Sequence, residues 1–117
     1  MKEIRVKTSL LEGRICIGEG VLSERLPHLL QGQKNFVVTD SNLFSLYQKE
    51  IENWFKGCKI FVIPAGEENK TFQTLHCILE EMVGAGLHRT SRLFAFGGGV
   101  VGDIAGLSAA LYMRGIS

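Results

Sequence analysis

Phe96-Gly97-Gly98-Gly99-Val100-Val101-Gly102-Asp103 sets three consecutive glycines between a β-favouring run, Leu93 to Phe96, and a helix-favouring one, Val100 to Met113. Without side chains the backbone can bend sharply and come close to a ligand. A helix beginning there points its free N–H groups at an anion such as a pyrophosphate. Gly97, Gly99 and Gly102 also satisfy G-x-G-x-x-G in a strand-turn-helix context. The acidic residue that an ordinary dinucleotide fold carries about 20 positions further on falls beyond Ser117, which argues against the ordinary Rossmann arrangement. The competing reading is that the glycines only permit tight packing of helix on strand, with Gly102, Ala105, Gly106, Ala109 and Ala110 as further small residues of the same interface.

The same alternation occurs twice upstream. Asn35 to Thr39 is a compact β-branched run followed by Leu43, Tyr47, Ile51, Trp54 and Phe55 at helical spacing. Ile60 to Ile63 is followed by a polar loop, Pro64 to Lys70, and then by Phe72, Leu75, Ile78, Leu79 and Met82 on one helical side, with Gly84 and Gly86 as the stop. Three strand-helix units in succession predict an α/β fold, a Rossmann-like parallel sheet flanked by helices. Before them, Ile4 to Thr8 and Arg14 to Ile17 predict a half-exposed N-terminal β-hairpin turning at Gly13. A short helix carrying Leu22, Leu26, Leu29 and Leu30 follows, with Pro27 expected in its first turn. Residues 1–117 are read as one domain, interrupted at Ser117 where another strand is expected.

Composition narrows the function. Thirteen Lys and Arg against 12 Asp and Glu give a net charge of +1, too little to attract nucleic acid or anionic lipid. Asp103 breaks the longest apolar stretch, so no membrane span of about 18 residues is expected. Lys2, Glu3, Arg5 and Lys7 exclude a signal-peptide core, which predicts a cytoplasmic protein. Cys16, Cys58 and Cys77 form no Cys-x-x-Cys pair and read as buried thiols. His28, His76 and His88 are scattered at no recognised ligand spacing, so no metal site is assigned within this chain.

Candidate binding residues follow from position. Asp40 ends a strand, where ligands of open α/β sheets bind and where a carboxylate accepts from ribose hydroxyls; an N-cap for the next helix is the equal alternative, and Asn42 shares the ambiguity. The loop Pro64-Ala65-Gly66-Glu67-Glu68-Asn69-Lys70-Thr71 lies at the equivalent end of the next strand. Lys70 suits a phosphate or hydroxyl there, with Glu67 holding it or binding a ribose; a solvated ion pair is the alternative. Asp103 in the first turn of the last helix and Arg114 at its end are each favoured by the helix dipole alone.

Taken together, Gly97-Gly98-Gly99-Val100-Val101-Gly102-Asp103-Ile104-Ala105-Gly106 with Ala109-Ala110-Leu111-Tyr112-Met113-Arg114-Gly115-Ile116 resembles the signature of the dehydroquinate synthases, a family of sugar phosphate cyclases. Thr39-Asp40-Ser41-Asn42 and the Pro64 to Thr71 loop match in order and spacing. The resemblance implies the N-terminal domain of the dehydroquinate synthase-like fold, with NAD as cofactor. It implies that Asp40, Asn42, Glu67 and Lys70 contact the ribose and adenosine portion, and that Gly98, Gly99 and Val100 line the pyrophosphate. Asp103 would lie near nicotinamide and substrate, and Arg114 would hold the substrate's phosphate-bearing end. Such enzymes use NAD to oxidise a hydroxyl of a heptulosonate phosphate, acidifying the neighbouring C–H for phosphate elimination.

Family members are longer. Their helical second domain supplies a glutamate and two histidines for zinc or cobalt, so the metal is expected only in the full-length enzyme and this chain alone is expected to be inactive. The implied partners are NAD and a sugar phosphate, with homodimers common in the family. Alternatives are another sugar phosphate cyclase, a metal-dependent polyol or glycerol dehydrogenase, and a non-catalytic nucleotide-binding remnant.

Overall fold

Asn35-Phe36-Val37-Val38-Thr39 shows no polar alternation, and each of these residues is buried. That is the pattern of a parallel strand covered on both faces. In the computed structural model, which describes Met1–Ser117, this strand is the centre of a three-stranded parallel sheet. The elements in order are β1 (Lys2–Lys7), β2 (Glu12–Ile17), α1 (Val21–Leu30), β3 (Asn35–Asp40), α2 (Ser41–Trp54), β4 (Lys59–Ile63), α3 (Phe72–Gly84), β5 (Arg92–Phe96) and α4 (Gly99–Leu111). Strands run in the order β4-β3-β5; Phe36 to Asp40 pair with Lys59 to Ile63, and Asn35 to Thr39 with Arg92 to Phe96. The connection from β4 through α3 to β5 therefore crosses β3, and successive connections leave β3 and β5 on opposite sides. Crevices of this kind, outside the carboxyl ends of the strands, are where open α/β sheets bind ligands.

Alternating side chains of β3 build two different layers. Phe36 and Val38 join Ile63, Leu75, Ile78, Met82, Val101, Ile104 and Ala105, so α3 and α4 cover one face. The other face belongs to α2, whose last residue Trp54 meets Phe96 edge-on at 5.9 Å and whose C-cap Phe55 meets Phe94 and Phe96 at ring separations of 5.8 and 6.3 Å. Those separations lie in the range where aromatic pairs gain beyond simple burial.

The chain divides into two compact units, Met1–Gln31 and Gly32–Ser117. In the first, β1 and β2 pair as an antiparallel hairpin that forms its own two-stranded sheet. Strand alternation puts Ile4, Val6, Ile15 and Ile17 on one face, all exposed, and Glu3, Arg5, Glu12 and Arg14 on the other. Glu3 is held below the usual carboxylate range, first by its hydrogen bond from Arg5 and then by the charges of Arg5, Arg14 and Arg25.

Five expectations change. The hairpin turns through Thr8 to Leu11, and Gly13 lies inside β2 opposite Val6. Asp103 falls in the second turn of α4, which starts at Gly99. The helix α1 starts at Val21 after Gly20 in the left-handed conformation, too early for Pro27 to fall in its first turn as expected. Its missing N–H leaves the Ser23 carbonyl without a helical partner, a cost met by water because both residues are exposed. The last helix stops at Leu111 rather than Met113. Tyr112 turns inward, 8% exposed, and its hydroxyl donates to the Leu87 carbonyl at 2.9 Å. Met113 and Arg114 then take positive φ angles of 47° and 67° in a 3-10 turn. The three cysteines are half-buried rather than buried, and burial raises the Cys58 thiol above its ordinary value. The histidines are all exposed.

Candidate functional site

The carboxyl ends of the three parallel strands deliver Asp40, Pro64 and Gly97 to one edge of the sheet. Asp40 is both the last residue of β3 and the N-cap of α2: its Oδ1 accepts from the Leu43 amide at 2.8 Å. The capping alternative is therefore realised, and it occupies only one carboxylate oxygen. Asn42 stands exposed in the first turn of α2.

The loop after β4 closes as a 3-10 turn, Glu67–Asn69. Asn69 Nδ2 ties it together by donating to the Ala65 carbonyl at 3.2 Å. Lys70 leaves this turn toward α4, where its Nζ lies 2.8 Å from Asp103 Oδ2 and 3.7 Å from Glu67 Oε1. The sequence reading paired Lys70 with Glu67; the closer carboxylate is Asp103, from a helix 33 positions away. Beside the pair, Thr71, Phe72, Leu75, Ile104 and Leu107 line a recess of about 190 Å³ with mostly apolar walls.

Lys70 is raised above the ordinary lysine value by its hydrogen bond to Asp103, then by the charges of Asp103 and Glu67. A cation raised in the folded state contributes stability that is complete below its unfolded pKa, about 10.4, and is lost as pH climbs through the higher folded value. Stability should thus be indifferent to this pair between pH 6 and 9, taking those limits as roughly the span well below the lysine range. Asp103→Asn removes the largest cause, and the Lys70 ammonium should titrate at lower pH in an NMR titration of its side chain; an unchanged midpoint would show that the bridge is not formed.

The glycine turn separates into two parts. A Cβ on Gly97 would lie 2.7 Å from Val101 Cγ2 and 2.8 Å from Val101 Cβ, so Gly97 is required by packing, as the competing sequence reading held. Gly98 and Gly99 would meet nothing within 4 Å, and Gly98 has φ −86°, which any residue can adopt. Neither packing nor backbone conformation inside the chain calls for glycine at these two positions. Gly102 and Gly106 are also exposed and meet nothing, so the close-packing account of α4 holds for the buried Ala105 and Ala109 only.

Gly98 caps α4 without any side-chain bond, whereas Asp40 caps α2 and Thr71 caps α3. The first helical bond of α4 comes from the Gly102 amide to the Gly98 carbonyl at 3.0 Å, so the amides of Gly99, Val100 and Val101 precede the helical ladder. Free amides, a positive dipole end and open space above Gly98 and Gly99 suit a phosphate group.

Arg114 is not brought to this edge. It follows α4, whose 13 residues span about 20 Å at 1.5 Å per residue, and the chain beyond it returns to the start of β5, where the Ser117 carbonyl accepts from the Leu93 amide at 2.7 Å. Two hydroxyls the sequence reading passed over do act at the edge. Thr39 Oγ1 donates to the Phe96 carbonyl at 2.7 Å, and Ser41 Oγ accepts from the Ala65 amide at 2.9 Å. No group of three His, Cys, Asp or Glu side chains converges as a metal-ligand set, and no helix is long and apolar enough to cross a membrane.

An open parallel sheet with its polar groups gathered at the carboxyl edge, and a hairpin preceding it, defines an α/β domain of the dehydroquinate synthase-like fold. The solved 2-deoxy-scyllo-inosose synthase complexed with carbaglucose-6-phosphate, NAD+ and Co2+ matches it with a TM-score of 0.83 at 23% identity, covering 99% of this chain and 34% of that one. ValA, the 2-epi-5-epi-valiolone synthase of Streptomyces hygroscopicus with NAD+ and Zn2+ bound, matches with a TM-score of 0.66 at 30% identity over 82% of this chain and 28% of its own.

Residues 60–117 match the family model for the 3-dehydroquinate synthase N-terminal region. The chain is 38% identical over 117 residues to the 3-dehydroquinate synthase of Dictyoglomus thermophilum, covering 99% of this chain and 32% of that protein. It is 48% identical over 91 residues to that of Caldanaerobacter subterraneus, covering 74% and 26% respectively. Over residues 60–117 the chain belongs to the 3-dehydroquinate synthase N-terminal family, and it spans about a third of the length of the curated relatives it matches.

Proposed function

We propose that this chain is the NAD-binding N-terminal part of a 3-dehydroquinate synthase. That enzyme converts 3-deoxy-D-arabino-heptulosonate 7-phosphate to 3-dehydroquinate and phosphate in the shikimate pathway of aromatic amino acid biosynthesis. The observation that carries the reading is the unexplained pair Gly98-Gly99, open on an uncapped helix end at the edge shared with Asp40 and Lys70. In this reading the amides of Gly99 and Val100 receive the pyrophosphate. Asp40, through the oxygen not used in capping, and Asn42 grip the adenosine ribose. Lys70 and Glu67 contact the ribose and adenosine portion, and Asp103, whose carboxylate meets the Lys70 ammonium at 2.8 Å, lies toward the nicotinamide.

When bound, NAD supplies transient oxidation of a substrate hydroxyl, while these residues bind and orient it. The metal chemistry of the relatives has no ligand set within this chain, so no step is assigned to it here. Arg114, at the other end of α4, is proposed to hold the substrate phosphate rather than the cofactor. Other cyclases share this fold, but the solved examples stand at 23% and 30% identity against 34% to 48% for the 3-dehydroquinate synthases, which favours the latter.

Calorimetric titration of the chain with NAD tests the reading. Saturable binding in the micromolar range, weakened by Asp40→Ala, is expected. An absence of heat at millimolar NAD from a chain with intact circular dichroism would overturn it.

A further inference from the structure

We infer that Thr39 and Ser41 are positioning residues for the cofactor site, two hydroxyls that moor the glycine turn and the charged loop to the strand end bearing Asp40. The inference rests on the NAD-binding reading above, and its geometry is independent of it.

The parallel ladders stop where the site begins. Between β3 and β5 the last partners are Thr39 and Phe96, and between β3 and β4 they are Asp40 and Ile63. Beyond these pairs the backbone of Gly97-Gly98 and of Pro64-Ala65 has no strand partner. Glycines lack side chains to anchor themselves, so whatever fixes the turn must act on neighbouring main-chain atoms. The Phe96 carbonyl is the last such atom before Gly97, and Thr39 Oγ1 holds it at 2.7 Å across 57 residues of sequence.

The Ala65 amide is the first N–H after Pro64, and Ser41 Oγ holds it at 2.9 Å across 24 residues. Asp40 sits between the two hydroxyls in sequence. One tripeptide thus presents a ligand-facing carboxylate while its flanking residues tether the turns on either side.

Thr39 is fully buried on the α2 face, where a hydroxyl is a costly choice unless bonded. Valine has the same shape and a higher strand preference, so core packing alone gives no reason for threonine there. Ser41 is exposed, and no burial demand requires its bond to Ala65. Placement errors of about an ångström at a binding group are enough to cost substantial affinity or rate, which is what such tethers prevent.

The experiment compares Thr39→Val, Thr39→Ser, Ser41→Ala and wild type in the full chain, with NAD affinity by calorimetry and amide hydrogen exchange without ligand. Thr39→Val and Ser41→Ala should each weaken NAD about tenfold, and Thr39→Ser, which restores the hydroxyl, should return to within about twofold of wild type. Without NAD, Ser41→Ala should speed exchange at Ala65 while leaving α3 protected. Wild-type affinity in both hydroxyl-less variants would overturn the inference, as would exchange that rises uniformly across the unit. Should Thr39→Val fail to fold, the exposed Ser41→Ala decides. A wild type that ignores NAD overturns the reading on which this rests, while the Ala65 exchange rate still shows whether the tether exists.

Discussion

Gly98→Val will lower the thermal midpoint of the chain by no more than about 5 °C and lower its affinity for NAD by about tenfold to a hundredfold. A Cβ at Gly98 enters open space, and the residue's φ of −86° suits valine, so the folded chain loses only the N-cap preference for glycine, about 1 kcal/mol or less. The same atoms would occupy the approach to the free amides of α4, where a bound pyrophosphate must come within hydrogen-bonding distance. The control is Gly97→Ala, one position earlier and smaller. Its methyl meets Val101 at 2.7 Å, and Val101 is 1% exposed within the core, with no room to withdraw. That substitution should cost about 1–3 kcal/mol in urea denaturation. Two adjacent glycines are thus expected to fail differently, one in folding and one in binding. Equal NAD affinity in Gly98→Val and wild type would remove the main physical support for a pyrophosphate at this turn.

The contrast between these glycines also marks how far sequence carried the site. Because every strand of a parallel sheet ends at the same edge, the residues directly after β3, β4 and β5 could be gathered in advance, and Asp40, the loop around Lys70 and the triplet at Gly97 do share that edge. Which glycine serves packing depends on the position of Val101 in space, and no periodicity encodes that. The tethers made by Thr39 and Ser41 were illegible for a related reason: their bonds join residues 57 and 24 positions apart and leave no mark on local patterning. Lys70 found Asp103 through the packing of α4 rather than through its own loop.

The fold divides along the same line. A buried apolar run made β3 unmistakable, and three strand-helix alternations made the sheet parallel. The strand order β4-β3-β5 is a pairing choice that the runs themselves do not carry. Element ends were least legible where one side chain overrides the trend, as when Tyr112 seeks the Leu87 carbonyl and ends α4 before Met113.

Phe36→Ala should be the most damaging single truncation. Phe36 is fully buried at the centre of the sheet, stacked at 6.5 Å on Phe61, and packed among Ile63, Leu75, Ile78 and Met82. Removing a buried phenyl ring costs about 3–5 kcal/mol, against a total near 5–15 kcal/mol for a domain of ordinary stability. Urea denaturation should show the midpoint collapse toward low denaturant. The variant also offers a link between stability and function. A ligand that binds only the folded chain stabilises it by about 2.7 kcal/mol at a hundred times its Kd. NAD at that excess should therefore recover more than half of the loss in Phe36→Ala, because the ring lies in the core between the sheet and α3, away from the proposed cofactor edge. The same NAD should stabilise the double variant carrying Gly98→Val by only about 0.4–1.4 kcal/mol, because its affinity is tenfold to a hundredfold lower. If NAD failed to shift Phe36→Ala although calorimetry showed it binding the wild type, the cofactor edge would have to be coupled to the Phe36 core, and the separation of folding from binding argued for the two glycines would not hold.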